Sequence, residues 1–517
     1  MRFAGLALLL SLLCAGVAWP AAEYLRPEWS VGQEQVAPEL LAVTPPLAAP
    51  AELTIQEAVS AALQRDVGFR GTVQALLSAR SNLQVALQRW ELELFGRLQR
   101  TGDDTTVKEA QAGSSFLYSA TTGADLTLRA ELDRLDSEEK AQTLTASLRQ
   151  PLLAGRGPAS AGYEEVRAAR NAYRAALLSY FVERQDLIVS VISQYFNVVE
   201  EQKVVEIQGS SVRLAEEAVR DAQLRLEAGM VAEIDLTRAQ LRLSRAQTDE
   251  VLARQRAADA MDRLLLLLGY QVGGNPSLVT TVSYQPTAVD LEAAVKQALE
   301  QRPEIWLADL GIEDREAALR IRRSRSLPSL DLFGSVRRTS NGLEERSWSL
   351  GLETTVPIAS RSLREAVRQA QWALLVTQQR REEVRQRVAS EVRSQVRAAQ
   401  AAQANVDIAT KGLSVAERSR QIAGRMFEEG LAENRDLLDA QDELTRSRTS
   451  LVTSQINYYL ATVRLRRATG VDVATDLPTE RAQPAAGESA GGETPIAPAA
   501  PPAAPSPQAG GQGGAGR

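Results

Sequence analysis

Two hydrophobic periods alternate along this chain. Apolar residues recur at three- and four-residue spacing, the mark of an amphipathic helix, over residues 54–88, 159–226, 234–268, 363–427 and a last stretch ending at Thr469-Gly470. Between them the period drops to two, as in a strand that buries one face. Leu126, Leu128, Ala130 and Leu132 alternate with Asp125, Thr127, Arg129, Glu131 and Asp133. After a charged turn at 136–140, Leu144, Ala146 and Leu148 alternate with Thr143, Thr145, Ser147 and Arg149. The pattern returns as Trp348, Leu350, Leu352, Thr354 and Val356 against Ser349, Gly351, Glu353 and Thr355. Each arm of the first pair is about ten residues, the length a tilted strand needs to cross a bilayer. A soluble hairpin with one face on a core has the same pattern, so alternation alone leaves both readings open.

The helices say more through their length. Residues 159–226 contain no proline, and at about 1.5 Å per residue they would span roughly 100 Å. A helix of that length must be supported sideways by others. The arrangement also occurs twice. EAGMVAEIDLTRAQ at 227–240 and EEGLAENRDLLDAQ at 428–441 keep Glu, Gly, Asp, Leu, Ala and Gln in matching places, with Gly229 and Gly430 201 positions apart. In each copy the glycine can take the left-handed conformation that ends a helix. Asp235 or Asp436, six residues later, can cap or charge the start of the next helix. The reading is a helical hairpin built twice, with the tip as its working part; an ordinary helix–turn–helix is the plainer alternative.

Leu92-Glu93-Leu94-Phe95-Gly96 and Leu330-Asp331-Leu332-Phe333-Gly334 match at a shift of 238, whereas Pro151 and Pro357 match at 206. The first copy therefore carries about 32 extra residues around its strands. The expected organisation is a signal peptide at 1–22, a Pro-rich linker at 23–50, a first repeat at 51–285, a second at 286–470 and a disordered Pro/Ala/Gly tail at 471–517. A capping box, Thr54-Ile55-Gln56-Glu57, opens the first helix.

Composition then removes whole classes of chemistry. The chain has no histidine, which excludes Ser-His-Asp catalysis, His-ligated metals and His pH switches. Its one cysteine, Cys14, lies in the leader, so no disulfide framework or thiolate nucleophile is available to the rest. Cys14 follows bulky Leu13, the wrong residue for a lipid-attachment motif. A net charge of -6 speaks against a nucleic-acid partner. In the leader, Arg2, an apolar run at 3–17 and the small residues at 16–18 have the layout of a secretory signal. Together these features imply an exported protein that is not an enzyme and needs no cofactor or resident metal.

The order of helix, strands, long helix, glycine tip and shorter helix, repeated behind a leader, resembles the TolC-like outer-membrane efflux protein family. The residues that carry the resemblance are the two Leu-x-Leu-Phe-Gly motifs, Gln150-Pro151-Leu152-Leu153, Arg302-Pro303-Glu304-Ile305, Leu327-Pro328-Ser329-Leu330-Asp331-Leu332 and Gly430-Leu431-Ala432 leading to Asp436-Leu437-Leu438-Asp439-Ala440-Gln441. The resemblance implies a mainly α fold with membrane β. In it, a homotrimer forms a hollow α-barrel of long helices, continuous with a shared outer-membrane β-barrel to which each protomer gives four strands. It implies a passive duct across the periplasm, fed by an inner-membrane pump through a periplasmic adaptor. Ser114 to Ala120 has the look of a further strand, which would make six; an elaborated external loop is the preferred account of the extra residues. A periplasmic coiled-coil scaffold or adaptor is the rival class, against which stand the strand pairs and the two full hairpins.

Asp436 and Asp439, spaced i and i+3, share one helix face. The resemblance implies that they line the narrowest point of the periplasmic entrance; the alternative is acidic first-turn residues favoured by the helix dipole. Family gates are often linked through an arginine two places after the second glycine and a tyrosine three places before it. Here those places hold Ala432 and Phe427. Arg425 or Arg435, paired with Asp235, stand as substitutes. Gly229, Met230 and Val231, with Gly430, Leu431 and Ala432, are implied as the tips on which the adaptor docks.

Overall fold

The two longest helices each start on a serine whose side chain satisfies one of the first free N–H groups. Ser160 accepts from Tyr163 N to start α3 (Ala161–Glu227), and Ser360 from Leu363 N to start α7 (Arg361–Glu428). The computed structural model describes residues 47–88, 90–99, 109–120, 122–135, 140–229, 231–279, 290–340, 344–358, 360–429, 431–432 and 434–476. The leader, with Cys14, and the tail from 477 onward lie outside them. So do Met230, Gly430, the charged turn at 136–139 and the boundary at 285/286.

The first stretch of helix is two helices. The Thr54–Glu57 capping box is present at the start of α1 (Ile55–Arg65). Asp66 then turns extended, and its carboxylate accepts from Phe69 N at 2.7 Å to cap α2 (Val67–Leu87). Leading the second half, α5 (Leu291–Gln301) and α6 (Pro303–Arg325) are broken in the same way at Arg302-Pro303. The remaining helices are α4 (Glu233–Leu267) and α8 (Asn434–Thr469). No helix among the described residues is long and apolar enough to cross a membrane.

The strands settle where the extra residues go. After a short β1 (Glu52–Leu53) come β2 (Trp90–Gln99), β3 (Glu109–Ser119), β4 (Asp125–Leu135) and β5 (Lys140–Pro151). A short β6 (Ser277–Leu278) pairs with β1, and β7 (Ser329–Ser340) and β8 (Glu344–Thr355) complete the set. The large sheet is an antiparallel run in the order β2-β3-β4-β5-β7-β8. The four strands implied by the resemblance are thus six, and the extra residues are strands instead of a loop. The reason is register: β3 meets β4 from Glu109↔Leu135 to Ser119↔Asp125 and β4 meets β5 from Asp125↔Arg149 to Arg134↔Lys140, each without a break, so these residues are taken up in strands. Leu92–Gly96, which breaks the helical period, is itself the middle of β2.

Two cores form partway along the long helices. One packs Leu53 and Ile55 on Ile188, Ile192, Tyr195 and Phe196 of α3, Leu264 and Leu265 of α4, and Ile456 of α8. The other packs α5 on Val388, Val392 and Val396 of α7 and Leu465 of α8. Beside the second lies an ionic knot. Arg302, almost fully buried, donates to Glu304 at 2.6 Å and Glu391 at 2.5 Å, while Arg467 reaches Asp186 at 2.6 Å. Residues 471–476, assigned from sequence to the tail, fold back onto this region: Val473 is buried, and Asp472 accepts from Gln185 and Arg184. Beyond the cores the helices run on as bare hairpins. Ala239, Ala246, Ala253 and Ala260 are buried at a strict seven-residue spacing on α4, a thin seam suited to close, supercoiled pairing with α3.

Candidate functional site

The hairpin tips are where the duplicated motif lies. At the first, α3 ends on Ala228 and Gly229 takes φ +74, its N–H donating to Leu226 O at 2.9 Å. A Cβ on Gly229 would meet nothing, so the backbone angle alone calls for glycine here. At the second, Leu431 N–H donates to Met426 O at 2.7 Å, the six-to-one bond of a Schellman cap. Leu431 is 69% exposed, an apolar group held in water by the cap that should have sheltered it. Of the expected docking residues, Val231 and Ala432 are half-buried, and Met230 and Gly430 lie outside the described residues.

Asp235 does not cap α4. Ala232 occupies the cap position without a side-chain bond, and Asp235 sits in the first turn, 3.5 Å from Arg238. There it complements the helix dipole, the second of the roles expected for it. Asp436 lies in the first turn of α8, and both it and Asp439 are on its exposed side. Leu438, Ala440 and Gln441 face the other way and are buried. The two carboxylates therefore do share the face that a single protomer leaves open. Arg435, expected to reach Asp235, lies instead 3.6 Å from Asp439 along its own helix. Arg425 and Asp235 line one groove of about 400 Å³ between the hairpins, which brings them together; the ion pair of Asp235 is the one with Arg238.

The structure ties the hairpins through residues that sequence reasoning passed over. Arg225, near the end of α3, lies over the ring of Phe427, near the end of α7, at 4.2 Å from its centroid. Phe427 thus holds a cross-hairpin contact at the place where the family often has a tyrosine. Next, Arg242 of α4 donates to Asp442 of α8 at 2.8 Å. Burial draws the pKa of the Arg242 guanidinium below its ordinary value, against the opposing charges of Asp442 and Asp439. Its Nη1 is buried without a hydrogen-bond partner among the described residues, as is Oε1 of Gln441. Arg242 is therefore costly to hold where it is, and Asp442 is what compensates it. The described residues contain no cluster fit to hold a metal ion.

A helical hairpin built twice, closed by charged and aromatic ties at its tips and carrying an amphipathic antiparallel sheet at its other end, defines a channel of the TolC-like kind. The sequence matches the family of outer membrane efflux proteins over residues 59–270 and 294–471, and the chain belongs to that family. It is an outer-membrane efflux channel protein, and channels rather than enzymes make up its family. It is 23% identical over 308 residues to the outer membrane protein TolC of Vibrio cholerae, covering 57% of this chain and 70% of that one. It is also 23% identical over 367 residues to the alkaline protease secretion protein AprF of Pseudomonas aeruginosa, covering 68% and 75%. The outer membrane protein VceC of Vibrio cholerae shares its fold with a TM-score of 0.63 at 16% identity, over 81% of this chain and 96% of that one.

Proposed function

We propose that this chain assembles as a homotrimer into the exit duct of a tripartite efflux or type I secretion system, taking substrate from an inner-membrane pump through a periplasmic adaptor. The duct is passive. Its strands line a pore through the outer membrane, and its long helices carry the pore across the periplasm. The observation that carries this reading is the sheet. One face is apolar and exposed, with Leu94 79%, Trp348 78% and Leu350 68% accessible, and its edge strands β2 and β8 each have a single neighbour among the described residues. In lipid, unpaired edges are intolerable, so the sheet must close on further copies. The relative named for alkaline protease secretion favours export as the general role but does not fix the cargo.

At the periplasmic end, Asp436 and Asp439 from three protomers would put six carboxylates around the entrance, with Arg225–Phe427 and Arg242–Asp442 holding the two hairpins of each protomer together. The exposed tips, Leu431 foremost, are the surface for the adaptor's own hairpins. The acidic ring should make the resting pore cation-selective and open to block by divalent and trivalent cations, which bind several carboxylates at once. The test is single-channel recording in planar bilayers of the wild type and Asp436→Ala/Asp439→Ala. The variant should lose the block and much of the selectivity. Equal block in both would leave these residues as helix-start charges and place the constriction elsewhere.

A further inference from the structure

The added strands continue both faces of the sheet. Register puts Trp90, Leu92 and Leu94 of β2 beside Tyr118, Phe116 and Ser114 of β3. The same face continues through Leu126, Leu128 and Leu132 of β4, then Leu144 and Leu148 of β5. It ends in Val336 of β7 and Trp348, Leu350 and Leu352 of β8. The opposite face is mainly polar, from Glu91 and Glu93 to Ser349 and Glu353, with Phe95, Leu117 and Phe333 among its apolar exceptions, and it is bridged between β5 and β7 by Arg149 and Asp331 at 2.7 Å. A band of apolar residues outside and polar residues inside is the pattern of a membrane barrel wall, and all six strands carry it.

The added pair can be identified. Phe95 lies over Gly113 across β2 and β3, and Phe333 over Gly351 across β7 and β8; a Cβ on either glycine would stand 2.7 or 2.5 Å from the ring. Both residues match at the repeat shift of 238, so β2–β3 is the counterpart of β7–β8, and β4–β5 is the addition. Nor does the addition hang loose. Its leading turn docks on the segment between β5 and α3: Gly157 N donates to Thr122 O at 3.1 Å, and Ala124 is buried. Gly123, at φ +90, sits where a Cβ would be 2.8 Å from Gly155 O.

The helices show no matching increase. Among the described residues the long ones are α3, α4, α7 and α8, four in this protomer. Resting on the trimer proposed above, we infer that the membrane end of this duct is an eighteen-stranded pore, six strands from each protomer. It is therefore wider than four strands each would make it. Barrel diameter grows roughly linearly with strand number, which makes this exit about 1.5-fold wider than a twelve-stranded one, in the range that leaves an open aqueous channel.

The test uses the full-length protein in planar bilayers, with polyethylene glycols of graded size added from one side at a time. The comparison is a variant lacking residues 118–149, the 32 that separate the two repeat shifts, which keeps Gln150-Pro151 ahead of α3. The largest polymer entering from the extracellular side should be about 1.5-fold larger in radius for the wild type, with the same periplasmic-side limit in both. Equal extracellular limits would overturn the inference. Where the shortened variant does not assemble, strands are counted by electron cryomicroscopy of the wild type in lipid nanodiscs. Eighteen supports the inference; twelve, with β4–β5 folded outside the wall, overturns it. Mass measurement of the same particles separates the two readings: a trimer with twelve strands sinks this inference alone, whereas another oligomer sinks the trimer as well.

Discussion

Asp442→Asn tests whether the hairpins are held by a charge or merely by contact. Arg242 is 12% exposed and Asp442 51%, with 2.8 Å between donor and acceptor. Asparagine keeps the shape and an acceptor oxygen but removes the charge. A hydrogen bond to a charged group contributes about 1.5–3 kcal/mol. Asp442 is half in water, and screening trims this to about 1 kcal/mol. If the tie forms only in the closed duct, its loss shifts each protomer's closed-to-open balance about fivefold. The assay is the occupancy of the large-conductance state in planar bilayers, with the melting temperature of the assembled protein as a control. Occupancy should rise in Asp442→Asn and in Arg242→Gln while melting changes little. The double variant should add almost nothing to either single one, because both remove the same link. Unchanged occupancy in the single variants, or full additivity in the double, would refute the gating role.

Two further outcomes are expected. Gly229→Val should impair export while leaving the barrel in the membrane, because the left-handed cap at φ +74 costs a β-branched residue about 1–2 kcal/mol and, on the docking proposed above, the side chain would obstruct the adaptor; normal export with normal adaptor cross-linking would contradict it. At the ionic knot, burial pushes the Glu304 pKa up, but the hydrogen bond and charge of Arg302 outweigh it and hold the carboxyl below its ordinary 4.5. A depressed folded pKa contributes stability above pH 4.5 that is lost as pH falls through the folded value, so Glu304→Gln should flatten the acid limb of a melting-temperature profile, and parallel limbs would show that the knot is not what titrates.

Legibility in the sequence followed how local each signal was. The alternation of β4 and β5 is uninterrupted, so those strands could be read directly. In β2 and β3 it is spoiled on the polar face by Phe95 and on the apolar face by Gly96 and Ser114. Phe95 makes sense only once Gly113 lies beneath it, and that pairing belongs to the folded sheet. The break at Asp66 could also have been foreseen, since an aspartate three residues before Phe69 is an N-cap signal. It was hidden by a hydrophobic period that runs on through it.

The site divides along the same line. Asp436 and Asp439 share a face because of helix geometry, and three residues suffice to show it. Arg242–Asp442 and Arg225–Phe427 join positions 200 and 202 apart. Those separations are informative, because the repeat shift at the tips is 201. The ties therefore connect residues at nearly equivalent heights on two copies of one hairpin, standing side by side in register. The duplicated sequence contained that signal, as an arginine in one copy beside the level of an aspartate in the other, but only side-by-side placement turns it into contact. This arrangement also limits how the tips can move. A slip of α8 along α4 by one turn, about 5.4 Å, would set Arg242 opposite buried Leu438 or like-charged Arg446. Lateral splaying only lengthens the ion pair and lets water in. If the proposed duct opens at its tips, the register favours spreading the hairpins apart at constant height over sliding them past one another.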